Sequence, residues 1–293
     1  MQRVKLAASA GLQNAGLLRE GISYLNYVRN HSIPMYYGHA IARAEGDNEV
    51  TGAVIRKVDA DWSPVPGTEQ PIDVDTICVG YGFLPSIELL KTIGCELEYN
   101  EQLGGQIPTR TRLMETSVPG VYAVGDGSGV AGAPASIVEG RIAALSVAAR
   151  SGALPKSRAR VRVRRELRSW SAIQRFRAAL DETYRIRPGI YNWMTDDTII
   201  CRCEEVTAGE IQQFVGTSRD PNYVKSLTRA SMGLCQGRNC SRNVSWLVAE
   251  STGQDPAQVM SLNARPPAKP VPLGAIADPT PPPIPSDLMM SDE

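Results

Sequence analysis

Cys201-Arg202-Cys203 and, further along, Cys235-Gln236-Gly237-Arg238-Asn239-Cys240 hold four of the chain's six cysteines. The first pair is spaced C-x-C and the second C-x4-C. Four thiolates within one short stretch are a ligand set for a zinc ion or an iron–sulfur cluster. Structural zinc knuckles favour two to four residues between cysteines, because the chain must turn around one ion. C-x-C is therefore tight for zinc, whereas C-x4-C fits either metal. A disulfide framework is the third reading, and it suits a short secreted chain better than this one.

The sequence between the pairs shows how they could meet. Thr207 and Glu210 spell a T-x-x-E capping box, which predicts a helix just after Cys203. Asp220-Pro221 reads as the N-cap and first residue of a second helix, ending near Gly233. Ser241 is placed to cap a third helix carrying Val244, Leu247 and Val248. Both cysteine pairs would then lie beside helix N-termini, whose free N–H groups favour an anion. Arg202, Arg229 and Arg238 add positive charge. A thiolate-ligated [2Fe–2S] cluster is a net anion with hydrogen-bond-accepting sulfurs, so this setting suits it. On spacing alone, zinc and disulfides stay open.

The run Cys201-Arg202-Cys203-Glu204-Glu205-Val206-Thr207, with Lys225, Thr228-Arg229, Met232-Gly233 and the C-x4-C pair, resembles the bacterioferritin-associated-ferredoxin-like [2Fe–2S] domain. In particular it resembles the version at the C-terminus of certain FAD/NAD(P)-dependent oxidoreductases. That resemblance implies that Cys201, Cys203, Cys235 and Cys240 bind one [2Fe–2S] cluster.

The chain has 293 residues, with 31 basic and 31 acidic side chains and a formal net charge of zero. That length suggests about two domains. The neutral balance points to no nucleic-acid partner. No apolar run approaches the ~18 residues of a membrane span, and the N-terminus lacks the apolar centre of a signal peptide. Clustered thiols without an export signal point to a reducing cytoplasm.

Toward the N-terminus, Leu17, Leu18, Ile22, Leu25 and Val28 recur at helical spacing. Ile33 to Ile41 and Val50 to Val58 read as strands around a turn at Glu45-Gly46-Asp47-Asn48. Val74 to Gly80 reads as a buried strand, and Cys78 and Cys95 as buried, inert thiols. His31 and His39 are the two histidines, and both read as packing or surface residues.

The second informative stretch is Gly120-Val121-Tyr122-Ala123-Val124-Gly125-Asp126. It predicts a buried strand closed by Gly-Asp, then a small-residue loop from Ser128 to Gly132, then a helix opened by Ala133-Pro134-Ala135. A carboxylate at a strand's end can accept hydrogen bonds from a polyol, and the helix N-terminus can stabilise negative charge on a flavin ring. With Val118-Pro119 in front, this stretch resembles the second FAD-contacting motif of two-dinucleotide-binding-domain flavoproteins. The resemblance implies that Asp126 binds the FAD ribityl chain, that Ala133 and Pro134 face the flavin, and that Gly125 is part of the same cofactor-binding loop. Val79-Gly80-Tyr81-Gly82-Phe83-Leu84-Pro85 resembles the return from the NAD domain to the FAD domain. The chain does not open on a G-x-G-x-x-G pyrophosphate turn, and the nearest run, Gly125-Asp126-Gly127-Ser128-Gly129, belongs to this second motif. The expectation is therefore the C-terminal part of a longer flavoprotein.

The arginine-rich stretch from Lys156 to Arg168 alternates with Ala159, Val161 and Val163, which could suggest a strand. A solvated or subunit-facing segment is the stronger reading. Phe176, Leu180 and Tyr184 have helical spacing. After Asn263 the chain is proline-rich and is expected to be disordered or polyproline II.

The expected fold class is α/β: a partial two-dinucleotide-binding-domain flavoprotein followed by a small, mainly helical [2Fe–2S] domain. The boundaries are 1–82 for the C-terminal half of a NAD(P)-binding-type domain and 83–150 for part of a FAD-binding domain. A helical connector spans 151–199, the cluster domain 200–262 and the tail 263–293. The whole resembles the FAD- and [2Fe–2S]-containing component of heteromeric amine dehydrogenases, a group that includes opine-, cyanide-forming and D-hydroxyproline-oxidising complexes. The partner this implies is a second, FAD-containing dehydrogenase subunit. The substrate it implies is an amine or amino acid. No side chain stands out as an acid, base or nucleophile. A non-catalytic cluster-bearing module and a zinc-stapled structural domain are the competing readings.

Overall fold

The computed structural model describes residues 15–259 and 261–277. Helix α1 spans Ala15–Asn30, where the helical spacing placed it. The side chains of Leu17 and Leu18 lie outside the described residues, while Ile22 and Leu25 are exposed. Strands β1 (His39–Glu45), β2 (Gly52–Lys57) and β3 (Gln70–Ile72) form an antiparallel sheet in that order. The hairpin turn falls where the Glu45–Asn48 stretch predicted it. The first strand begins later than expected, at His39 rather than Ile33.

Two expected strands do not form. Val74 to Gly80 has no regular structure; Cys78 is exposed and Val79 is 67% exposed. A strand exists by pairing with a neighbour. Among the described residues no strand lies against this segment, so its apolar run alone does not make one. Gly120 to Val124 likewise forms only one isolated bridge, Tyr122 with Glu115. Cys95 is buried as expected, with its thiol 3.5 Å from the Thr116 hydroxyl.

Helix α2 (Glu88–Ile93) and the hairpin of β4 (Leu97–Asn100) and β5 (Gly105–Pro108) lead to the Gly-Asp loop. Gly125–Ser128 makes one 3-10 turn, and α3 follows over Ala133–Arg150 with Pro134 in its first turn. Helix α4 runs from Lys156 to Tyr184 and packs along α3. The strand alternative for the arginine-rich stretch is therefore excluded: helical spacing puts Ala159 and Val163 on the buried face and leaves Val161 72% exposed. Phe176 lies in this helix; the side chains of Leu180 and Tyr184 fall outside the described residues. Met114, Val138, Ile142 and Ala143 form the core under these helices, with Leu167 and Trp170 against it.

The C-terminal module has its own core. Strands β6 (Ile199–Cys201) and β7 (Val206–Thr207) pair, and α5 (Ala208–Val215), α6 (Pro221–Thr228) and α7 (Ser241–Thr252) close over them. Ile211, Val224, Val244 and Val248 are fully buried. Each contributes about 1.5–3 kcal/mol by leaving water. The connector joins the halves through Trp193, whose indole donates to Trp62 O at 2.9 Å, and Tyr191, which stacks on Trp246 at 3.8 Å. Lys91 Nζ donates to Leu262 O at 2.9 Å, and Arg238 pairs with Glu88 at 3.2 Å. Of the proline-rich tail, the part up to residue 277 carries a short helix α8 (Leu273–Ala277), and Ala268 O accepts from Arg238 Nη2. Apart from that helix, residues 263–272 have no regular secondary structure, and residues 278–293 lie outside the described residues.

Candidate metal centre and flavin loop

The helices of the C-terminal module start from the predicted caps. Thr207 Oγ1 accepts from the Glu210 amide at 3.3 Å, and the Glu210 carboxylate accepts from Thr207 N at 2.8 Å, completing the capping box. Asp220 accepts from Asn222 N at 2.8 Å with Pro221 at the first helical position. Two details differ from expectation. Helix α6 ends at Thr228 rather than near Gly233, because Arg229 takes a left-handed backbone (φ +63°). Cys240 rather than Ser241 is the N-cap of α7, so one cysteine itself sits at a helix start.

Beyond Arg229 the chain repeatedly enters the left-handed region, at Ser231 (φ +73°), Gln236 (+52°) and Gly237 (+82°). Such alternation curls successive N–H groups into a concavity that receives an anion. Here the anion acceptors are cysteine sulfurs. Burial alone pushes the Cys235 thiol up. The Asn239 amide, the Cys203 thiol and the Gly237 and Arg238 amides outweigh it, and hold Cys235 below the usual thiol range. Cys240 differs: burial, with Cys201 beside it, pushes its thiol up to about 12 against the opposing Ser231 hydrogen bond. Ser231 N lies 3.4 Å from Cys201 Sγ, and Ser231 Oγ lies 3.1 Å from Cys240 Sγ.

Cys203 thus lies beside Cys235, and Cys201 beside Cys240. All six thiols of the chain are free, so the disulfide alternative is not realised. Cys201 and Cys240 are buried, Cys235 is half-buried and Cys203 is exposed. A structural zinc would need four sulfurs in one tetrahedral shell, each about 2.3 Å from the ion. Thiols beside a cradle of N–H groups suit an anionic two-iron cluster. Gly233 is part of this packing: a Cβ there would stand 2.4 Å from Cys203 Cβ.

The flavin loop keeps only part of its expected form. Gly125 (φ +70°) gives its amide to Glu139 Oε2 at 2.9 Å. Asp126 Oδ1 accepts from the Ala131 and Gly132 amides, each at 3.1 Å, and so ties down the small-residue loop. Asp126, Ala133 and Pro134 are not buried. Gly132 caps α3 with no side chain, which leaves that helix N-terminus open to an acceptor. These residues therefore fit the ribityl and ring end of FAD. Sequence reading missed Glu139, which is 1% exposed and also accepts from Arg110 and from the Trp170 indole at 3.1 Å. Its only signal was a charged residue on the buried face of an alanine-rich helix.

Between the two halves lies a cleft of about 840 Å³, with Phe83, Pro85 and Glu88 on one wall and Arg238, Arg242 and Trp246 on the other. It runs beside the Cys235–Cys240 loop.

The structure joins a mixed helix–sheet region to a small, mainly helical, cysteine-rich module. Comparison with known families agrees. Residues 22–152 match the pyridine nucleotide-disulphide oxidoreductase family, and residues 199–250 match the BFD-like [2Fe-2S] binding domain. The two matches together imply FAD and a [2Fe–2S] cluster. It is similar to hydrogen cyanide synthase subunit HcnB of Pseudomonas aeruginosa, 32% identical over 93% of this chain and 58% of that one. It is also similar to an opine oxidase subunit of Rhizobium meliloti, 35% identical over 72% of this chain and 40% of that one. The chain thus spans about half the length of the curated relatives it matches. An L-proline dehydrogenase chain from P. horikoshii shares its fold, with a TM-score of 0.59 and 20% identity over 81% of this chain and 44% of that one. Among the described residues, no helix is long and apolar enough to cross a membrane.

Proposed function

We propose that this chain is the electron-transfer part of a heteromeric dehydrogenase that oxidises the C–N bond of an amine or amino acid, working with a second, FAD-containing subunit in a reducing cytoplasm. The observation that carries the reading is the convergence of two thiol pairs on a loop of inward-turned amides. In this reading Cys201, Cys203, Cys235 and Cys240 hold the cluster within a module spanning 200–262. Gly125 and Asp126 hold the ribityl chain, and Ala133 and Pro134 present the open end of α3 to the flavin ring. When bound, FAD accepts an electron pair from the substrate side and the cluster passes electrons on singly. Burial of Cys201 and Cys240 excludes water from one side of the centre, while the exposed Cys203 opens the other to a redox partner. Names of the relatives support the substrate class, since one belongs to an opine oxidase.

The test is anaerobic purification of this chain, followed by iron, sulfide and flavin content, visible absorbance and dye-linked activity on amino-acid-like substrates. The expected product carries a cluster with broad visible bands and little FAD, and does not reduce dye, since the residues assigned to the flavin hold only its ribityl and ring end. A colourless zinc protein would overturn the cluster reading. Stoichiometric FAD with substrate-dependent dye reduction would overturn the view that the flavin site is partial.

A further inference from the structure

Ser231 lies in the cluster loop, is 1% exposed and has a left-handed backbone at φ +73°. That backbone suits glycine better than any residue with a side chain. The atom a glycine would lack, the hydroxyl, lies 3.1 Å from Cys240 Sγ, while the Ser231 amide lies 3.4 Å from Cys201 Sγ. Gly237 stands against it: a Cβ there would come within 3.1 Å of Ser231 Cβ, so the loop leaves room for this side chain and no more.

We propose that Ser231 sets the reduction potential of the cluster through its hydroxyl. This rests on the reading of the four cysteines as the ligand set. A metal-bound Cys240 carries no proton, so the hydroxyl is the donor and the sulfur the acceptor. Reduction adds one electron from a one-electron donor, and part of the added charge falls on the ligand sulfurs. The hydrogen bond is therefore stronger to the reduced state, which favours reduction and raises the potential. Burial keeps water from replacing the hydroxyl when it is removed. On the Cys235 side the donors are backbone amides, which substitution cannot delete, so Ser231 is where a side chain controls the value.

The experiment compares Ser231→Ala and Ser231→Gly with the unaltered chain, all purified anaerobically. Iron and sulfide content and the reduced-state paramagnetic signal report whether the cluster is present. A mediator titration then gives its midpoint potential. Both variants are expected to keep the cluster and to shift the potential to more negative values by similar amounts. A tenfold change in the reduced-to-oxidised ratio corresponds to ~59 mV for one electron. Alanine keeps the left-handed strain and glycine relieves it, so a shared shift isolates the hydroxyl. Unchanged potentials in two cluster-bearing variants would overturn the proposal. So would loss of the cluster from both, which would make Ser231 a structural residue. An unaltered chain without any cluster would instead overturn the ligand reading, and this proposal with it.

Discussion

Arg110 and Glu139 meet as a bidentate ion pair, Nη1 to Oε2 at 2.9 Å and Nη2 to Oε1 at 2.7 Å, with Glu139 almost wholly out of water. Arg110 also reaches Ala123 O at 2.9 Å, and Glu139 accepts the Gly125 amide. The pair therefore fixes both ends of the segment that leads into Asp126. Arg110→Met should leave a buried carboxylate short of its main partner and destabilise the chain by about 3–5 kcal/mol. Adding Glu139→Gln should recover part of that loss, because Gln still offers an oxygen to Gly125. Chemical unfolding of the single and double variants checks both; a silent Arg110→Met would show that the pair contributes nothing.

Serine at Cys201, Cys203, Cys235 or Cys240 should abolish or strongly alter the reduced-state paramagnetic signal. Serine at Cys78, which is exposed, or at Cys95, which faces Thr116, should leave it unchanged. An unchanged signal in Cys203→Ser would remove that residue from the ligand set.

Gly233→Ala tests the packing of the loop rather than its chemistry. The added methyl would stand 2.4 Å from Cys203 Cβ, too close for either atom to stay in place. Cluster content should fall well below that of the unaltered chain while the helical signal of the fold persists. Full cluster loading in this variant would mean that Cys203 moves without consequence.

Asp126→Ala should weaken FAD binding in a flavin-loaded protein by about ten- to hundredfold, the loss of a charged hydrogen bond of ~1.5–3 kcal/mol. The effect includes the release of the Ala131 and Gly132 amides. Asp126→Asn keeps an oxygen for those amides and separates the two contributions: if it binds FAD as tightly as the parent, the charge itself is dispensable.

Thr207→Ala removes the side-chain half of a capping box and should cost the C-terminal module about 1 kcal/mol. Thr207→Ser should restore most of it. Thermal unfolding monitored through the visible bands of the cluster reads the difference, and equal midpoints in all three proteins would rule the cap out as a stabilising contact.

Features that depend on neighbours along the chain were legible before any fold was known. The capping box at Thr207 and Glu210, the Asp220-Pro221 helix start and the hairpin between β1 and β2 are local chemistry, and each formed where it was written. So did the helix opening at Ala133-Pro134. The cysteine spacing, a local pattern too, marked the four residues but left zinc, a cluster and disulfides open. Contacts across the chain decided the rest. Val74 to Gly80 and Gly120 to Val124 have strand composition, but a strand also needs a partner, and pairing is not encoded in the segment itself. Lys156 to Arg168 alternates like a strand, yet packing against α3 made it a helix. Cys203 meets Cys235, and Cys201 meets Cys240, only in the folded loop. Glu139 needed Arg110, Gly125 and Trp170 to be brought from three places, and Ser231 needed the fold of the loop to set one hydroxyl against Cys240. A buried polar group acquires its role from partners distant in sequence, and only the folded chain brings them within hydrogen-bond reach.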